Sequence, residues 1–130
     1  MSIFDTLFGK LKSVLHIVAQ DVRDVGERIV DHVEDVKEHI ARHFDIPADE
    51  VAARLDEKAA NDPQKLKWRT SIVDLLKLLD MDSSLATRKT MAGDFNYTGD
   101  TNDTATMNTW LHKQVMAEIA KRGIPIPQPD

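Results

Sequence analysis

The chain has 130 residues, a mass of 14.7 kDa and a formal net charge of −5, with 42% hydrophobic and 30% charged side chains and no cysteine. That length holds one domain and an appendage, and the lack of thiols excludes disulfides, thiolate metal sites and cysteine nucleophiles and fits a reducing compartment. Residues 1–62 hold 8 basic and 14 acidic side chains and residues 63–130 hold 9 and 8, so the clustered Lys and Arg that nucleic-acid binding draws on are missing.

The chain opens Met1-Ser2-Ile3-Phe4-Asp5, with no basic segment ahead of an apolar one, so no secretory signal is expected. No apolar run reaches the roughly 18 residues of a spanning helix. The expected location is cytoplasmic.

An apolar stripe dominates the first third. Phe4, Leu7, Phe8, Leu11, Leu15, Val18, Val22, Val25, Ile29, Val33, Val36, Ile40 and Phe44 follow one another in steps of three or four. At about 100° per residue they line one side of a single helix. Residues 20–30 and 31–41 are an internal repeat, with valine, aspartate, valine, glutamate and isoleucine in register. An eleven-residue period is about 3.67 residues per turn, so the stripe drifts little around a straight helix. The many valines and Gly26 lower intrinsic helicity, so the helix is expected to be marginal or mobile when free. A stripe this long exceeds what a 130-residue domain can bury. The expectation is therefore an amphipathic arm over residues 1–45 that offers the stripe to a protein partner. A second copy of the chain is the simplest one, because a stripe is its own complement.

Pro47 ends the arm. A second helix is predicted over 48–60, with Val51, Leu55 and Ala59 inward. Asn61-Asp62-Pro63 reads as a turn and a start signal. The next helix carries a wide apolar face through Trp68, Ile72, Val73, Leu75, Leu76, Leu78 and Leu79, the mark of a central core helix. Asp82-Ser83-Ser84 offers an N-cap to a short helix bearing Leu85 and Met91. After a polar loop over 94–103, Thr101 or Asp103 caps a last helix with Met107, Trp110, Leu111, Val115 and Ile119 inward. Gly123 stops it, and residues 124–130 form an extended Pro-rich tail. No alternating strand pattern occurs. The class is all-α: a compact domain of about four helices at 46–123, preceded by the arm and followed by the tail.

Several separated blocks occur in a characteristic order. They are Leu66-Lys67-Trp68-Arg69-Thr70-Ser71-Ile72-Val73-Asp74-Leu75-Leu76-Lys77-Leu78-Leu79, then Asp82-Ser83-Ser84-Leu85, then Tyr97-Thr98-Gly99-Asp100-Thr101-Asn102-Asp103, and finally Met107-Asn108 with Trp110-Leu111-His112-Lys113-Gln114-Val115-Met116. Across 48–122 the chain resembles the bacterial domain-of-unknown-function family numbered thirty-five ninety-seven, and the opening Met1-Ser2-Ile3-Phe4 is similar too. The resemblance implies a small, mainly helical domain. It implies no activity and no site residues.

Four features invite a chemical reading. The loop from Asp94 half-matches a calcium loop, with oxygen ligands at its first, third, fifth and ninth positions and Gly99 at the sixth; the twelfth, which should close the shell with a carboxylate, is Ala105. A turn and a helix cap built by Asp100 and Asp103 is the expected alternative. His32, His39 and His43 edge the arm stripe, where two imidazoles one turn apart make a weak metal site and solvated boundary residues are expected. Their protonation near pH 6.5 would add charge beside the stripe. His112 could pair with Asp100 or Asp103 for general-base chemistry, but no nucleophile accompanies it, and a helix-surface histidine is expected. Trp68 and Trp110 read as core anchors.

The leading functional expectation is a non-enzymatic interaction module with no cofactor and no metal. Peripheral membrane contact through residues 3–19 is the second, since Phe4, Leu7, Phe8 and Leu11 sit beside Lys10 and Lys12. Residues 20–45, with 4 basic and 8 acidic side chains, would repel anionic lipid. A third is envelope carbohydrate: Tyr97-Thr98-Gly99-Asp100 is similar to a loop of small helical peptidoglycan-binding modules, with Asn96, Tyr97, Asn102 and Trp110 as sugar contacts. An enzyme ranks last.

Overall fold

The computed structural model describes residues 2–16 and 46–129, which form five helices and no strand. Helix α1 spans Ile3–Val14. A reciprocal capping box starts it: the Asp5 amide donates to Ser2 Oγ at 3.1 Å and the Ser2 amide donates to Asp5 Oδ2 at 3.3 Å. Phe4, Leu7, Phe8 and Leu11 of α1, and Leu15 just beyond it, are all buried.

Over residues 2–16 this departs from the expected arm at 1–45; residues 17–45 of that arm lie outside the described residues. The first third of the stripe belongs to the core. The physical reason is size. A larger body buries a greater share of its surface, and each of these side chains brings about 1.5–3 kcal/mol of gross hydrophobic gain when buried. The compact body is therefore residues 2–16 together with 46–129, rather than 46–123 alone.

Helix α2 spans Ala48–Asn61 and buries Val51, Leu55 and Ala59 as its spacing predicts. The following segment departs from expectation. Trp68 does not lie on a helix but in a turn over 68–70. Ser71 then caps α3, Ile72–Leu78, by accepting from the Asp74 amide at 3.2 Å. The local hydroxyl cap interrupts what the apolar spacing reads as one long helix. Helix α4, Leu85–Asp94, starts on Ser84, and α5, Thr104–Lys121, starts on Asp103.

Four helices end the same way. The residue after the C-cap adopts left-handed backbone: His16 (φ 60°), Asp80 (φ 57°), Asn96 (φ 66°) and Gly123 (φ 108°). In α3, α4 and α5 the next amide reaches back to close the turn, from Met81 to the Leu76 carbonyl, Tyr97 to Ala92 and Ile124 to Ile119. Each of these three residues packs on the core. Such endings satisfy orphan carbonyls and turn the chain back over the body.

The C-terminal segment is extended but not free. Ile124 and Ile126 are buried, and Gln128 Nε2 donates to the Met116 carbonyl at 2.9 Å. The expected tail over 124–130 is thus part of the body as far as it is described.

Candidate functional site

The sequence-predicted site residues fall into three groups. Phe4, Leu7, Phe8, Leu11 and Leu15 are in the core. Val18, Val22, Val25, Ile29, Val33, Val36, Ile40 and Phe44 lie outside the described residues, as do His32, His39 and His43. Asn96, Tyr97, Asp100, Asn102 and Asp103 lie on the loop between α4 and α5.

That loop is built by local bonds. Asn96 takes the left-handed position after α4. Asp100 Oδ1 accepts from the Asn102 amide at 2.8 Å. Asp103 accepts from the Thr106 amide at 3.3 Å and from Thr106 Oγ1 at 2.8 Å. Asp94, the would-be first ligand of a calcium loop, is the last residue of α4. The ring of Tyr97 lies 4.8 Å from that of Trp110, tilted by 46°. Gly99 passes so close to Tyr97 that a Cβ there would sit 2.4 Å from its Oη. Tyr97 therefore pins the loop to α5, with one side of its ring turned to Trp110. Among the described residues no group of three or more His, Asp or Glu side chains is arranged to hold a metal ion.

His112 is not on the helix surface. It is 2% exposed, and its Nε2 lies 2.8 Å from the Trp68 carbonyl oxygen. A carbonyl only accepts, so Nε2 carries the proton and donates. Burial holds the imidazole below its ordinary pKa of 6.5, with the Trp68 carbonyl acting in the opposite direction. The structure does not bring His112 together with an aspartate for base chemistry: Asp103 caps the start of the same helix, and Asp100 closes a turn. The signal for this burial was present in the sequence, since His112 stands three residues before Val115 and seven before Ile119, on the apolar face.

Trp68 is a core anchor, 1% exposed. Its Nε1 donates to Asp56 Oδ1 at 3.0 Å, Arg69 Nη2 donates to Asp56 Oδ2 at 2.7 Å, and the Arg69 guanidinium lies 4.9 Å from the Trp68 ring centre. Trp110 is only half-buried.

Two shallow grooves open on the described surface. One, of about 310 Å³, runs between Ile3 and Lys10 of α1 and Met81 and Thr87. The other, of about 500 Å³, lies between Val14 and His16 on one side and Arg54 and Lys58 of α2 on the other. Arg54 Nη1 donates to the Leu15 carbonyl there. The second groove flanks the point where the chain passes into residues 17–45. Among the described residues, Leu85 is the only large hydrophobic side chain left exposed, at 38%.

The profile of a family described as a domain of unknown function (DUF3597) matches residues 2–127. The chain is also similar to a conserved unknown protein from Rhodopseudomonas palustris, known from a solution structure, with 54% sequence identity and a TM-score of 0.50. That match covers 59% of this chain and 59% of the other. No curated protein matches.

Proposed function

This chain belongs to the DUF3597 family, described only as a domain of unknown function, and on that premise we propose that it is a non-enzymatic interaction module whose partner surface is the apolar stripe of residues 18–44. The observation carrying this reading is a division of apolar residues. The described body closes its own core, leaving only Leu85 exposed among its large hydrophobics. The eleven-residue repeat continues the stripe through eight further apolar positions from Val18 to Phe44. A surface of that kind calls for a complementary one.

Charge sets the conditions for the pairing. Residues 17–45 carry 4 basic and 8 acidic side chains, whereas the rest of the chain carries 13 and 14. The excess negative charge is thus concentrated beside the stripe. A second copy is the simplest partner. Like charges then oppose the pairing, so self-association should strengthen as salt screens them.

Sedimentation of the full chain against a Val25→Asp, Val36→Asp double variant tests this. These positions are equivalent in the repeat. Concentration-dependent association that the variant loses while keeping its helical circular dichroism is the expected result. A chain that stays monomeric at the highest concentration, with the variant indistinguishable from it, removes self-pairing. Peripheral membrane contact through residues 3–19 has less support, because Phe4, Leu7, Phe8 and Leu11 are already committed to the core. Liposome flotation of the full chain would revive it.

A further inference from the structure

We propose that His112 is a pH-sensitive latch: its neutral imidazole, 2% exposed and donating to the Trp68 carbonyl, ties α5 to the turn ahead of α3, and its protonation frees that turn. The geometry joins three elements through one ring. His112 projects from α5. Its acceptor is the backbone of Trp68, whose indole N–H is held by Asp56 on α2. His112 is the only buried polar side chain among the described residues.

No carboxylate forms a hydrogen bond or ion pair with the ring. Lys113 on its own helix is exposed. On the turn segment Lys67 and Arg69 are exposed, and Arg69 is paired with Asp56 of α2. On α3, Lys77 is exposed and Asp74 accepts from the Lys67 amide. No carboxylate contributes to the balance at the imidazole, which burial alone pushes toward the neutral form. A buried charge without a partner is costly, so the protonated ring must reach water. The eighteen-residue α5 resists opening. The segment 62–71 is held by turns and by the insertion of Leu66 and Trp68, so it gives way first.

The sign follows from a folded-state pKa below the unfolded one. The stabilisation is complete above about pH 6.5 and is lost as the pH falls through the lower folded-state value.

The experiment compares the wild-type chain with His112→Gln, which keeps an amide donor and cannot become charged. A Trp110→Phe background leaves Trp68 as the fluorescent reporter. Between about pH 7.5 and 5, the wild-type melting temperature should fall by roughly 3–6 °C more than that of the glutamine variant, with the Trp68 emission moving to the red. Parallel pH profiles for the two chains would overturn the proposal. If the glutamine variant does not fold, the ring-proton titration of His112 in the wild-type chain decides: a midpoint below that of a free imidazole supports the latch, and one at or above it refutes it.

Discussion

The guanidinium of Arg122 stands 4.8 Å from the centre of the Phe4 ring while its Nη1 donates to Asp5 at 3.0 Å. One side chain at the end of α5 thus grips both an apolar and a charged residue in the first turn of α1. Phe8 shares the cation at 5.7 Å, and Glu118 steadies it from behind at 3.8 Å. Arg122→Ala should destabilise the fold by about 1–2 kcal/mol, combining a cation–π contact with a surface ion pair. Arg122→Lys should recover only part of this, since an ammonium lacks the planar face. Urea unfolding of the three chains checks both.

Asp5 reports on the same clasp. The hydrogen bond from Arg122 and the one from the Ser2 backbone hold its carboxyl below the ordinary 3.8. A depressed carboxylate contributes its stability above the unfolded value and loses it as the pH falls through the folded one. In Arg122→Ala the Asp5 carboxyl should titrate closer to 3.8, seen as a shift of its side-chain carbon resonance. An unchanged midpoint would mean that the ion pair does not form in solution.

The left-handed helix endings make a graded series. Non-glycine residues pay about 1–2 kcal/mol in this region, with Asn and Asp penalised least. His16→Gly should therefore stabilise most, by roughly 0.5–1 kcal/mol after the added chain entropy of glycine is counted. Asp80→Gly and Asn96→Gly should gain less. Gly123→Ala should lose about 1–2 kcal/mol. Thermal melts of the four variants would show whether the order holds.

Gly99 and Tyr97 form a coupled pair. A methyl group at Gly99 collides with the phenol, which is itself set against Trp110. Gly99→Ala should cost about 1–3 kcal/mol as overpacking and should change the Trp110 fluorescence. In a Tyr97→Leu background the same substitution should be nearly neutral, giving a coupling energy of at least 1 kcal/mol or so in a double-mutant cycle.

What was readable in the sequence divides along a physical line. Local signals carried through: the spacing of Val51, Leu55 and Ala59, the caps at Ser84 and Asp103, and the stop at Gly123 each act within a few residues. The departures from local expectation are set at long range. The stripe from Phe4 to Leu15 has the same periodicity whether it meets a partner or its own body, and only the tertiary packing decides. Trp68 fits a helical spacing, yet Ser71 sets the helix start after it. His112 is polar by type, but its register with Val115 and Ile119 places it inside. For the loop, the residue types suggested ligands, and the geometry uses Asp100 and Asp103 for a turn and a cap.

Leu15 and Ile46 are both core residues, and Arg54 of α2 holds the carbonyl of Leu15. Both flanks of residues 17–45 are consequently fastened into one body. A single cut between residues 17 and 45 should not shed α1, which stays plugged in through Phe4, Leu7, Phe8, Leu11 and Leu15.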